Sequence, residues 1–285
     1  MRMSKLFAST ILATVIGTGA AMAGTITFTW DPSATANGQL STPSPVTLLG
    51  PQFSANNIFI SDYATINIAN LNNVIENGVL AINSFALQNG TQSLGLVPGT
   101  GSPIPPPLSL FIPSQYQLYF VFTSTSHLAS DGAGGLKGAF DTLSYTLMGD
   151  QGGKCTFSAA GGASCGASGQ QFVLATGTLA AGGANVAKID ASGIPNAAVD
   201  LTITAGADAG GFFVDPTAVG LALVHLESAF TNTLGQIGSC GAACITINGG
   251  GGNIDMTIPE PITLSLFGAG LAGVGAFRRR KAKKA

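Results

Sequence analysis

Charge is what this 285-residue chain has least of: Asp, Glu, Lys and Arg together make up 8% of it. Of its 11 basic residues, Arg2 and Lys5 precede the first apolar run and six crowd the last eight positions, so residues 24–258 keep only Lys137, Lys154 and Lys188 against twelve acids. A body with a net charge near −9 repels phosphate backbones, which excludes nucleic acid as a partner. Histidine is nearly absent too. His127 and His225 are the only two, read as a polar turn after a strand and a position in an apolar strand beside Glu227. With no clustered carboxylate motif beside them, acid–base chemistry has little to work with. The chain is therefore read as non-enzymatic, with no catalytic residue, no cofactor and no metal ligand assigned. Residues 249–252 are all glycine but lack a following Lys-Ser/Thr pair, so they make no phosphate-binding loop and are expected to form a flexible hairpin loop. No D-x-D-x-D string exists for calcium, and Asp131-Gly132 and Asp215-Pro216 read as turns. A long amphipathic helix is also missing; residues 70–77 are the one place suited to a helical turn or two.

What the chain does have begins at its N-terminus. Arg2 and Lys5 lead into an apolar run at 6–16, and Ala21-Met22-Ala23 places small residues at the two positions a signal peptidase inspects. Residues 1–23 are expected to be a signal peptide, removed between Ala23 and Gly24. The remaining body, 24–258, is long enough to bury one core. Its apolar residues recur with a period of two: Ile26, Phe28, Trp30; Leu118, Phe120, Phe122; Val199, Leu201, Ile203; Ile254, Met256, Ile258. Shorter strand-like runs lie at 58–60, 64–68, 79–87, 140–148, 172–176, 212–214, 221–226 and 245–247. Many short strands divided by Gly, Asn, Asp and Pro predict an all-β antiparallel β-sandwich, jelly-roll-like or Ig-like. Residues 98–113, with Pro105-Pro106-Pro107, predict a stiff extended crossing.

Four cysteines fall in two local pairs. Nearness in sequence and an oxidising destination favour disulfides Cys155–Cys165 and Cys240–Cys244 over the other connectivities, and their spacing fits a four-sulfur zinc site poorly. Gly162-Ala163-Ser164-Cys165-Gly166 matches the G-x-S-x-G string of serine hydrolases. That string has chemistry only on a strand-to-helix turn beside a histidine, whereas here it sits in a small-residue loop.

The C-terminal segment 259–285 is the most specific feature. Pro259-Glu260-Pro261 precedes an uncharged stretch at 262–277, followed by Arg278, Arg279, Arg280, Lys281, Lys283 and Lys284. Sixteen residues make a helix of about 24 Å, short of the roughly 30 Å hydrocarbon core, and the cations stop it at the cytoplasmic face. It suits a temporary hold in the inner membrane. This order of signature, short apolar helix and basic end resembles the PEP-CTERM sorting signal, read in Gram-negative bacteria by the membrane protease exosortase. The resemblance implies cutting near Glu260, a transient membrane-anchored stage, and delivery to the cell surface or extracellular matrix.

A second resemblance covers much of the body. Phe140-Asp141-Thr142-Leu143-Ser144-Tyr145-Thr146-Leu147, Leu174-Ala175-Thr176-Gly177-Thr178-Leu179, Gly211-Phe212-Phe213-Val214-Asp215-Pro216, Ala229-Phe230-Thr231-Asn232-Thr233 and the late glycine run are similar in order to flocculation-associated PEP-CTERM proteins. That likeness implies a role in cell aggregation with extracellular polysaccharide, and carries over no binding residue. A surface rich in hydroxyls and amides can hydrogen-bond sugar, and Trp30, Tyr63, Tyr116, Tyr119 and Tyr145 are candidates to stack on it. The alternatives are a surface hydrolase acting through Ser164 and a structural subunit that self-assembles through sheet edges.

Overall fold

The structure, a computed structural model, describes residues 24–25, 27–31, 34, 53–86, 93–95, 116–151, 155–165, 171–214 and 224–258. The stretches read as signal peptide (1–23), proline-rich crossing (98–113) and sorting segment (259–285) lie outside the described residues. Residues Gly24–Pro259 form one compact unit.

The unit is built on nine long strands: β1 (Asn57–Asn67), β2 (Val74–Ala86), β3 (Tyr116–Ser130), β4 (Leu136–Gln151), β5 (Gln171–Thr178), β6 (Asn185–Ile189), β7 (Pro195–Thr202), β8 (His225–Thr231) and β9 (Cys244–Ile258). Each pairs antiparallel with its neighbours in chain order. β5 and β6 share one place in that order, because β5 pairs with 144–150 of β4 while β6, running the same way, pairs with 136–138. Asn185 joins the two halves: its amide donates to Phe140 O and its carbonyl accepts Phe140 N, both at 2.8 Å. β9 then returns to β1 over its whole length, from Cys244↔Asn67 to Asp255↔Asn57. The sheet is thus an up-and-down barrel of eight strand positions. All-β antiparallel structure was expected and is found, but one sheet closed on itself replaces the two stacked sheets of a sandwich. Alternation every second residue tells which side of a strand is dry; it cannot tell whether the dry side faces another sheet or the far wall of its own.

Register shifts beside Phe59, Thr125, Val173 and Asn248 supply the bends that closure requires. One of them corrects the expectation for 249–252. These glycines lie inside β9, not in a hairpin loop, and Gly249 takes a positive φ of 73° at the shift. Gly252 has no side chain because Ile60 occupies that space, with a Cβ there meeting Ile60 Cδ1 at 3.0 Å. The turn expected at 70–77 is likewise corrected: β2 already begins at Val74, which buries its side chain opposite Ser126.

The interior is filled by Ile58, Ile60, Ala64 and Ile66 of β1, Leu118 and Phe120 of β3, Leu143, Tyr145 and Leu147 of β4, and Ile247, Ile254 and Met256 of β9. At the end where β1 starts and β2 finishes, Trp30 is 1% exposed and packs on Phe85, Phe212 and Phe213 with ring centroids 5.2–5.5 Å away. Gly24 and Ile258 pair with each other, so the two ends of the unit emerge side by side.

Candidate functional site

The outward face of β1–β5 carries a ladder of small polar side chains. Register places Thr246, Thr65, Asn77, Thr123, Ser144 and Thr178 opposite one another across six strands. Thr202 of β7 extends the row, its hydroxyl 3.4 Å from that of Thr178. A parallel row holds Tyr63, Val79, Val121, Thr146, Thr176 and Thr204. Pleating aims these side chains away from the core, at about 4.8 Å between strands and about 6.8 Å along them. Thr123 Oγ1 donates to Asn77 Oδ1 at 2.7 Å, and Thr178 N donates to Thr202 Oγ1 at 3.0 Å, which fixes the rotamers of the row.

A hairpin of Thr156–Ser158 and Gly162–Ser164 forms one wall over this face. The Cys155–Cys165 disulfide closes its base, and Phe157 stacks against Tyr63 and Tyr119 at 5.9 and 5.5 Å. The hairpin buries Val79 and Tyr119, residues that would otherwise face solvent. What remains is a groove of about 870 Å³ with no charged residue in its lining, and Val121, 41% exposed, on its floor. Burial, and then the Asp150 charge, push the Tyr119 phenol up to about 12, so it stays neutral beneath the hairpin.

A second polar locus lies inside the barrel. Asp62 of β1, 3% exposed, and Glu76 of β2 line a cavity of about 60 Å³ whose other walls are mainly apolar, among them Ile66, Leu80, Phe120 and Leu128. Burial and then the charge of Glu76 raise the Asp62 carboxyl well above its ordinary range. Burial pushes Glu76 up to about 7, against a hydrogen bond that Ser124 Oγ donates to Glu76 Oε2 at 3.4 Å. Nothing in the sequence analysis pointed to either residue. The available signal was each acid's place in the inward alternation, Ile58-x-Ile60-x-Asp62 on one strand and Val74-x-Glu76 on the next.

Of the residues named from sequence, Cys155, Cys165, Tyr63, Tyr119 and Tyr145 lie at the groove. Both expected disulfides, Cys155–Cys165 and Cys240–Cys244, are formed, and no described cysteine is free. Asp150 lies within 4.8 Å of both sulfurs of the first, but a disulfide offers no thiolate to a metal. Ser164 is exposed on the hairpin and pairs with Thr156, while His127, expected in a turn, lies in β3 and bonds Asp141 at 2.7 Å. The strand-to-helix turn that a nucleophilic serine needs is not what surrounds Ser164. Of the aromatics proposed to meet sugar, Trp30, Tyr119 and Tyr145 are buried; Tyr145 donates to Thr202 O at 2.7 Å. Ala21 and Ala23, and Pro259, Glu260, Pro261, Arg278, Arg279 and Arg280, lie outside the described residues. Gly24 opens the first short strand, Gly24–Thr25. Among the described residues no helix is long and apolar enough to cross a membrane.

The all-β body is followed in the sequence by a short apolar segment that ends in cations. The family model of the PEP-CTERM protein-sorting motif matches residues 257–281, taking in Pro259-Glu260-Pro261 and the three arginines. The chain carries the PEP-CTERM sorting motif, which implies exosortase as the processing partner and a membrane-associated sorting step at its C-terminus. No curated protein and no solved structure matches it.

Proposed function

We propose that the mature barrel is a non-catalytic protein of the cell surface or extracellular matrix that promotes cell aggregation by binding exopolysaccharide along the groove on its outer face. The observation that carries this reading is the uncharged hydroxyl and amide ladder inside the groove. A glycan chain presents hydroxyls at a similar few-ångström repeat, and a row of oxygens that both donate and accept can exchange hydrogen bonds with it without a charge to desolvate. The sorting motif supports the location, and the body's resemblance to flocculation-associated proteins supports the outcome. Self-assembly through sheet edges draws less support, since β9 pairs with β1 and closes the main sheet on itself. Catalysis at Ser164 draws less as well, its neighbours being those of a tied hairpin.

The test joins cells and pure components. Deleting the gene should reduce aggregation, and the purified protein should be retained on the host's own polysaccharide. Replacing Ser144 and Thr146 with Glu, at exposed and half-buried places in the groove, should abolish retention while leaving the circular dichroism unchanged. Unaltered aggregation together with no retention of the unmodified protein would end the proposal.

A further inference from the structure

Inside the barrel, acceptor oxygens are gathered with little to donate to them. Asp62 Oδ1 is buried without a hydrogen-bond partner, and so is Asn232 Oδ1; both residues line the cavity that Glu76 and Ser126 share. Asn232 is not free to turn its amide round. Its Nδ2 donates to Pro195 O at 2.7 Å and its backbone N to Asn196 Oδ1 at 3.3 Å, which leaves the carbonyl directed inward. The residue it reaches over is Gly250, where a Cβ would collide with Asn232 Oδ1, and Gly250 is the register partner of Asp62 on the adjoining strand. The glycine therefore brings the Asn232 carbonyl beside Asp62. Glu76 stands two inward positions further along, opposite Ile66, with the small residues Ala64 and Gly78 between. Lys188 is the only basic residue lining the cavity, and it is exposed.

Two carboxylates and an amide carbonyl lining one cavity offer oxygen alone, with no nitrogen or sulfur, the preference of a hard cation. A cavity of about 60 Å³ has room for an ion with water, since a single water needs roughly 10–15 Å³ of such space. We propose that the barrel interior binds one hard divalent cation, of the calcium class, held by Asp62 and the Asn232 carbonyl with Glu76 as the second charge across the cavity. Calcium tolerates the irregular geometry of groups set by two strands and a turn, whereas magnesium demands a near-octahedral shell.

The purified protein, stripped with EDTA and held at pH 8, is titrated with calcium chloride alone and separately with magnesium chloride. One ion should bind per chain by calorimetry, calcium more tightly than magnesium. At a hundredfold excess over its dissociation constant, calcium should raise the thermal midpoint by roughly 5–10 °C. Asp62→Asn keeps the shape of the side chain, removes a buried charge and should eliminate the shift. Asn232→Leu should weaken binding at least tenfold. Glu227→Gln alters an exposed acid whose register partners are Asp200 and Asp255, and should leave the shift intact. The proposal is overturned if neither cation moves the midpoint, if Asp62→Asn responds like the unaltered protein, or if Glu227→Gln is the change that removes the response.

Discussion

In the absence of divalent cations the barrel should lose stability as pH rises, the reverse of ordinary acid denaturation, and Glu76 sets the size of the effect. Its carboxyl moves from 4.5 to about 7 in the folded chain, chiefly through burial. A folded-state pKa above the unfolded one means that the native protein holds the proton more tightly. The stabilisation is complete below about pH 4.5, falls through the window from there to about 7, and is gone above it. At about 1.4 kcal/mol per unit, Glu76 contributes a loss of about 3 kcal/mol across the window, a large share of the 5–15 kcal/mol typical of a domain. Asp62 works in the same direction, through burial and the Glu76 charge. The exposed Asp131 opposes them: backbone N–H groups of Ala133 and Gly135 hold its carboxyl below the usual range, so its effect falls at more acidic pH. Urea unfolding of the disulfide-intact protein in EDTA, from pH 4.5 to 8, measures the slope. Glu76→Gln should remove about 3 kcal/mol of it and make the barrel more stable than the unaltered protein at pH 8. Parallel curves for the two proteins, or stability that climbs through the window, would refute the assignment of Glu76 to the interior.

Other consequences are simpler to read. Leu174→Ala empties a fully buried position in β5 and should cost about 2–5 kcal/mol, read as a lower urea midpoint at unchanged m-value. Opening the Cys155–Cys165 bridge by a double Ser substitution frees a short loop and should cost about 2–3 kcal/mol, with protease cleavage appearing near the hairpin and polysaccharide retention falling as the groove loses a wall. Replacing Arg278, Arg279 and Arg280 with Ala removes the cationic stop of the tail; unprocessed chain should then accumulate, seen as intact C-terminal peptides by mass spectrometry of the host's protein. Gly250→Ala drives a methyl group into the Asn232 carbonyl and should destabilise by about 1–3 kcal/mol while also weakening calcium binding.

Most strands were legible because each carries its own evidence. Leu118, Phe120 and the wet residues between them announce β3 without help from any other segment, and the runs at 140–148, 172–176 and 245–247 fall inside β4, β5 and β9. Errors arose where a residue's role is set by a distant one. Four successive glycines argue locally for a loop, yet Gly250 and Gly252 are strand residues whose missing side chains are replaced by Asn232 and Ile60. Asn70 to Asn73 form a turn that donates Asn73 N to Asn70 O, and the following Val74-Ile75-Glu76 has no helical advantage over a strand once β1 and β3 flank it. Closure itself is a relation between the first strand and the last, and no window along the chain contains both.

The same distinction separates the two candidate sites. The groove ladder is spelled out in the sequence as Thr123-x-Thr125, Thr142-x-Ser144-x-Thr146, Thr176-x-Thr178 and Thr202-x-Thr204, a hydroxyl at every second residue on the wet side of consecutive strands. Strings of this kind were read only as the polar half of an alternation, because what turns them into a surface is the register that lines them up and the disulfide hairpin that walls them. The interior acids broke a rule instead: a carboxylate at an inward position costs several kcal/mol unless something compensates it. A chain with only three lysines between 24 and 258 has few internal cations to offer. Compensation then has to come from a bound proton or a bound metal ion. Those two occupants predict opposite responses at pH 8, where the proton has largely left Glu76 and a divalent cation can take its place.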